Sequence, residues 1–168
     1  MDKRWVIRES DAGAVHILQE ALGIHPVLCK LLVDRGIDTY DKAKQFFRPQ
    51  LSDLHNPFEM KGMREAVNRI LRASEQGERI LVYGDYDVDG TTSVALMFSF
   101  LNRFYPNIDY YIPDRYKEGY GISFQGIDYA EDNNCALIIA LDCGIKAVEQ
   151  VAYANSKGID MIICDHHL

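Results

Sequence analysis

Nowhere in the 168 residues is there an apolar run long enough to span a membrane. The amino-terminal stretch MDKRWVIRES also lacks the apolar core of a signal peptide. Neither a membrane span nor an export signal is therefore expected. Cysteine is sparse. Cys29, Cys135, Cys143 and Cys164 stand apart, with no C-x-x-C pair among them. They read as reduced thiols, small buried apolar residues in a cytoplasmic protein. There is no internal repeat and no low-complexity segment. Basic residues are scarce in the second half. Residues 80–168 hold 5 Lys+Arg against 13 Asp+Glu, a balance of -8, whereas residues 1–79 hold 13 against 12, a balance of +1. An acidic half argues against a general phosphate-binding surface. It leaves room for an enzyme whose acids are metal ligands.

Hydrophobic residues make up 48% of the chain, enough for a core in one ordinary domain or two small ones. Residues 1–79 read as a helical lead-in. Asp11 suits the cap of a helix that has Ala14, Val15, Ile17, Leu18, Ala21 and Leu22 on its apolar side and Gly23 at its end. Pro26 suits a first helical turn, with Val27, Leu28, Leu31 and Leu32 as the inner face before Gly36. A third short helix carries Ala43, Phe46 and Phe47, residues 50–62 read as a connector, and a fourth helix with Met63, Ala66, Val67, Ile70 and Leu71 runs to Gly77.

From Ile80 the pattern becomes strand, helix, strand, helix. The run Ile80 to Tyr83 is β-branched and aromatic, as a buried strand is. Three alternating aspartates follow, Asp85, Asp87 and Asp89, then Gly90 and three candidate helix caps, Thr91, Thr92 and Ser93. Val94, Ala95, Met97, Phe98, Leu101 and Phe104 continue at helical spacing, predicting a helix over about 91–104. Further strands are expected near 108–112, 136–141 and 161–164. Helices are expected at 123–133 and after Gly144, the latter with Ala147, Val148, Val151 and Ala154 inside. Alternation of this kind predicts an α/β fold, a Rossmann-like, mostly parallel sheet with flanking helices, preceded by the helical segment.

Three of the four strands end in residues that bind metals: Asp85, Asp87 and Asp89; Asp142; and Asp165, His166 and His167. Parallel pairing with right-handed crossovers brings those ends to one edge, where open α/β sheets bind ligands. Carboxylates with imidazole suit Mn²⁺, Mg²⁺, Fe²⁺ or Zn²⁺, and so many acids suggest two ions. Each piece has a plainer reading. D-x-D-x-D-G opens an EF-hand loop, but its twelfth position needs Glu and Leu96 stands there. D-x-D-G-T also resembles the nucleophile motif of haloacid-dehalogenase-type phosphatases, with Asp87 as the phosphorylated residue. That reading leaves the two histidines unexplained. Asp142-Cys143-Gly144 alone is a helix cap and tight turn, and a lone His-His pair is more often surface or core. Their recurrence at equivalent strand ends favours a site.

YGDYDVDGTT, DCG and DHH, in this order, closely resemble the first three motifs of the DHH phosphoesterase superfamily. The long first motif, the segment IPDRYKEGYGIS and the lead-in with NPFEMKGM are similar to its single-strand-specific DNA exonuclease branch. The resemblance implies metal ligation by Asp87, Asp89, Asp142 as a bridge, and His166. Asp85 would be a further ligand or a group that holds the ligands in place. It also implies that His167 faces the scissile phosphate and that Asp165 orients the histidines. The expected cofactor is Mn²⁺ or Mg²⁺, two ions. The expected substrate is single-stranded DNA, degraded 5′ to 3′ in recombination and repair, with a single-strand-binding protein or a helicase as partner. Tyr116 and Tyr120 are candidates to stack bases, and Arg115 and Lys117 to contact phosphate. Within the same superfamily, a phosphodiesterase of short oligoribonucleotides or cyclic dinucleotides is the alternative. A non-catalytic scaffold on the same fold is another. Such proteins continue into a fourth aspartate motif and a second domain. This chain, ending one residue after DHH, is therefore expected to be the amino-terminal part of a longer protein. It divides into the lead-in, 1–79, and a truncated DHH domain, 80–168, and should be a weak nuclease alone.

Overall fold

The run at Ile80–Tyr83 becomes an interior strand of a four-stranded parallel sheet. The strands are β1 (Arg79–Gly84), β2 (Ile108–Tyr111), β3 (Cys135–Leu141) and β4 (Asp160–Cys164), in the order β2-β1-β3-β4. The structure is a computed structural model and describes Arg4 and residues 6–167. It forms two compact units, one ending at Glu59 and the other starting at Met60.

The first unit holds α1 (Ala12–Leu22), α2 (Pro26–Val33) and α3 (Tyr40–Phe47). Local chemistry sets their ends. The Asp11 carboxylate accepts the N–H groups of Gly13 and Ala14 at 2.8 and 3.1 Å, and Gly23 closes α1 in the left-handed conformation. Pro26 opens α2, whose cap is the His25 ring accepting from the Val27 N–H at 3.3 Å. Among the described residues the core is small: Leu18, Cys29, Leu32 and Ala43. Here the structure corrects the expected faces. Ile17, Val27, Leu28, Leu31, Phe46 and Phe47 are exposed, and Cys29 with Leu32 makes the inner face of α2. Apolar residues are so dense on α2 that more than one stripe satisfies helical spacing, and packing selects the narrower one, while α3 buries Ala43 alone. Two short 3₁₀ turns, Leu51–Asp53 and Pro57–Glu59, lie in the expected connector.

In the second unit the sheet is buried on both faces, as parallel sheets are. Leu81, Tyr83, Ile138 and Ala140 pack on one side with α6 (Phe124–Asp132) and α7 (Val148–Ser156). Ile80, Val82, Leu137, Ile139 and Leu141 pack on the other with α4 (Met63–Gln76) and α5 (Val88–Leu101). The helix at Met63–Gln76, read from sequence as part of the lead-in, thus supports the sheet through Ala73 and Ile70. Arg69 on α4 ties it to the strand end, pairing with Glu78 at 2.7 Å and Asp160 at 2.6 Å. Val148, expected inside, is exposed, because α7 turns Ala154 inward and leaves its first residue in solvent. Phe104, expected on the apolar face of the helix after β1, lies beyond the end of α5 and is exposed.

Candidate metal centre

In the sheet register, Gly84 of β1 pairs with Leu141 of β3, and Leu141 pairs with Cys164 of β4. The next residues are Asp85, Asp142 and Asp165. Acids 80 positions apart in the chain therefore meet at one edge. The strand order also reverses there, since β1 leads to β2 on one side and borders β3 on the other.

The three alternating aspartates take different positions. Asp85 is 1% exposed. One oxygen accepts from the Gly121 N–H at 3.4 Å, and the other is buried with no hydrogen-bond partner. Asp87 caps α5, its Oδ1 accepting from the Gly90 N–H at 2.9 Å. The helix therefore begins at Val88, not at the threonines, and Asp89 sits exposed in its first turn, where a negative charge suits the helix start. Gly90 permits this, because a Cβ there would lie 2.4 Å from the Asp85 carbonyl oxygen.

Asp142 leaves β3 with φ 60, a left-handed conformation that aspartate tolerates better than most residues. Its N–H donates to the Cys164 carbonyl at 2.8 Å, tying the ends of β3 and β4 together. Gly144 follows with φ 109, and a Cβ there would meet the Ile122 and Ile163 side chains at 2.6 and 3.0 Å. The turn sets the Asp142 carboxylate against His166, Oδ1 to Nε2 3.1 Å. Asp165 engages the other histidine, its Oδ1 lying 2.6 Å from the His167 Nδ1. The N–H groups of Ile145 and His167 also donate to Asp165, at 2.8 and 3.0 Å. Burial alone would raise the Asp165 pKa, but these hydrogen bonds outweigh it and pull the carboxyl down to about 2. The same hydrogen bond, with the nearby charges of Asp165, Asp142 and Asp87, raises the His167 pKa. Burial, together with Asp85, Asp165, Asp142 and Asp87 around it, pushes the Cys143 thiol up to about 12.

Among the described residues, Asp142, His166 and His167 offer ligand atoms within 4.8 Å of one another. Asp87 lies within electrostatic reach of His167. Asp85 is buried beneath the edge and Asp89 lies on the exposed helix start. His167, expected from the resemblance to face substrate, thus stands in the cluster itself. Beside it is a cavity of 390 Å³ lined by Tyr120, Gly121, Ile145, Lys146, Asp165 and His167. Arg115 lies over the Tyr86 ring at 5.4 Å. Sequence reading placed Tyr83 in the buried strand but gave no role to it, to Glu118 or to Ser123, which hold the loop bearing Tyr120. Their only signal was a glutamate between charged residues and two glycines.

The model of the DHH family, N-terminal domain, matches residues 79–168. The chain belongs to the DHH family. Among curated relatives, the single-stranded-DNA-specific exonuclease RecJ of Bacillus subtilis is 45% identical over 164 residues, covering 98% of this chain and 21% of that protein. A crystal structure of exonuclease RecJ bound to manganese superimposes with a TM-score of 0.60 at 34% identity, covering 65% of this chain and 28% of the other. RecJ of Thermus thermophilus in complex with Mn²⁺ superimposes with a TM-score of 0.68 at 26% identity, covering 94% of this chain and 22% of the other. This DHH chain thus spans about a fifth of the length of the curated relatives it matches. No described helix is long and apolar enough to cross a membrane.

Proposed function

We propose that the chain carries the metal-binding edge of a RecJ-type exonuclease, which degrades single-stranded DNA from the 5′ end in recombination and repair. The observation that carries this is the cluster of Asp142, His166 and His167 at the switch point of a DHH sheet. The donor set fits a divalent cation, carboxylates suiting Mn²⁺ and Mg²⁺ and imidazole the transition metals, and RecJ structures bound to manganese superimpose on this fold. The buried, unpartnered oxygen of Asp85 adds negative charge that a nearby cation would offset. Asp142 and His166 would hold the ions, two in number, with Asp87 and Asp89 from the start of α5 and Asp85 behind them. When bound, such ions supply Lewis-acid charge neutralisation and an activated nucleophile.

The protein's own groups do the rest. Asp165 fixes the His167 ring through Nδ1, and we assign His167 the role of donating a hydrogen bond to a phosphate oxygen. Tyr120, whose ring meets His167 edge-on at 6.2 Å between centroids, offers a face on which a base can stack. Arg115 and Lys117 on the same loop supply positive charge for the strand's backbone. That few basic residues serve here fits the -8 balance of residues 80–168. We place the protein in the cytoplasm, where its four free cysteines stay reduced. A single-strand-binding protein or a helicase would present the strand. We keep the functional boundary at 79/80, one residue inside the family match, with α4 as a support of the sheet.

The test is calorimetric titration of Mn²⁺, with hydrolysis of 5′-phosphorylated single-stranded DNA by the full-length protein. Asp142→Ala should abolish both. Preferential hydrolysis of dinucleotides or cyclic dinucleotides would overturn the substrate assignment. Unchanged Mn²⁺ binding in Asp142→Ala would overturn the centre.

A further inference from the structure

Residues 112–123 join β2 to α6 and border the metal centre, with Tyr120 and Gly121 lining the same cavity as Asp165 and His167. Its two glycines, Gly119 and Gly121, have φ of 82 and 86. Such a stretch is costly to order unless something ties it down. The tie is Glu118. Its Oε2 accepts from the Ser123 hydroxyl at 2.5 Å and the Tyr111 hydroxyl at 2.9 Å, and its Oε1 accepts from the Asp114 N–H at 2.7 Å. Those donors sit at the end of β2, at the start of the loop and at the cap of α6, so one carboxylate closes the loop across its base.

The closure continues into the strand that carries the first aspartates. The Ser123 N–H donates to the Tyr83 hydroxyl at 3.0 Å, which donates in turn to the Gly121 carbonyl at 2.8 Å. Tyr83 is fully buried in β1, two residues before Asp85, whose carboxylate accepts the Gly121 N–H. Its ring stacks on Tyr111 at 5.5 Å, and a Cβ on Gly126 would lie 2.5 Å from it, so neither partner has room to shift. The loop is thus fastened to the strand and to its own ends.

We propose that Glu118 is a positioning residue: by tying Tyr111, Asp114 and Ser123 to one carboxylate it holds the 112–123 loop as a fixed wall of the Asp142, His166 and His167 centre, with Tyr120 set against His167. The consequence for DNA rests on the proposed function, whereas the wall itself does not. Glu118 makes no contact with the cluster, so its loss should leave metal binding alone while loosening what meets the strand.

The experiment compares wild type, Glu118→Ala, Glu118→Gln and Tyr111→Phe in the full-length protein. It uses amide hydrogen exchange, Mn²⁺ calorimetry and fluorescence binding of a 5′-phosphorylated oligothymidylate. In Glu118→Ala, amides 114–123 should exchange at least about tenfold faster, the scale of losing a hydrogen bond to a charged group. Exchange at Ile138–Ala140 in β3 should not change, and Mn²⁺ affinity should move by less than about twofold, against the roughly 10–100-fold expected for a group supporting a ligand. Oligothymidylate affinity should fall, and KM for hydrolysis should rise more than kcat falls. Glu118→Gln should restore much of the protection, since its carbonyl still accepts from Asp114 and both hydroxyls can reverse. Tyr111→Phe, which keeps the ring and all charges, should show a smaller loosening of the same amides. Unchanged loop exchange in both Glu118→Ala and Tyr111→Phe overturns the proposal. So does a loss of Mn²⁺ affinity matching the loss of loop protection. Failure of the wild type to bind oligothymidylate would overturn the proposed function, and the exchange data would still decide the role of Glu118.

Discussion

At the scale of single residues, the two histidines at the end of β4 differ in partner, and their chemistry differs with it. His166 is largely exposed and meets Asp142, while His167 is locked by an Asp165 side chain that is 2% exposed and holds two backbone N–H groups as well. The pairing has a pH signature. The Asp165 carboxyl falls from its ordinary 3.8 to about 2, so its contribution to stability is present above the ordinary value and is lost as pH falls through the lowered one. The His167 pKa is raised from 6.5, so its contribution is full below 6.5 and is lost as pH rises through the higher folded value. The metal-free chain should therefore hold a plateau of stability between about pH 4 and 6, with a decline on either side. Asp165→Asn should flatten both flanks. The urea midpoint of the sheet unit's transition, measured across pH in EDTA, checks this, and a variant that keeps the wild-type profile would show that the pair contributes nothing.

At the scale of elements, the start of α5 decides the geometry of the acidic edge. Its closeness to β1 depends on Gly84 and Gly90: Cβ atoms there would lie 2.4 Å from the Val94 side chain and from the Asp85 carbonyl oxygen, respectively. Backbone cannot yield as a flexible side chain can, so Gly90→Ala should destabilise the sheet unit by about 3 kcal/mol, the upper end of overpacking costs. Gly158→Ala is the contrast. Gly158 has φ 76 but open space around it, so only the conformational cost of about 1 kcal/mol applies. Equal shifts in urea unfolding would show that crowding at Gly90 is not the controlling factor. The sequence made this edge legible because strand ends are marked by chemistry as well as by pattern. Asp85, Asp142 and Asp165 each follow an apolar run, and parallel topology then places them together. The exact helix start was less legible, because Asp87, Thr91, Thr92 and Ser93 are all good caps and only the tertiary approach of Gly90 to Asp85 selects the first. The Glu118 closure was not legible at all. Its partners, Tyr111, Asp114 and Ser123, belong to three segments, and local pattern carries no record of a carboxylate that joins them.

At the scale of the whole molecule, two compact units with very different cores share one chain. The sheet unit buries side chains on both faces of four strands, whereas among its described residues the helical unit has a core of Leu18, Cys29, Leu32 and Ala43, with Val15, Leu22, Ile24, Val33 and Ile37 partly buried against it, and leaves Phe46 and Phe47 more than half exposed. Stability follows buried apolar area, so the helical unit is the weaker one. The residues of the proposed centre, Asp85 to His167, all lie in the sheet unit, and metal binding there should be indifferent to the state of the helices. Unfolding should therefore occur in two steps, the helical unit first, and a single free energy of unfolding will not describe the chain. Two substitutions separate the steps. Leu18→Ala removes a fully buried side chain from the small core and should lower only the first transition, by about 2–5 kcal/mol. Ile138→Ala does the same within β3 and should lower only the second by a similar amount, about 2–5 kcal/mol. Circular dichroism with urea, read alongside hydrogen exchange of α1 and β3 amides, reports both steps. Mn²⁺ should raise the second midpoint alone, because ligand binding stabilises only the unit that holds the ligand. A single cooperative transition, moved equally by both substitutions and by Mn²⁺, would show that the helices and the sheet fold as one body and that the small core is supported from outside itself.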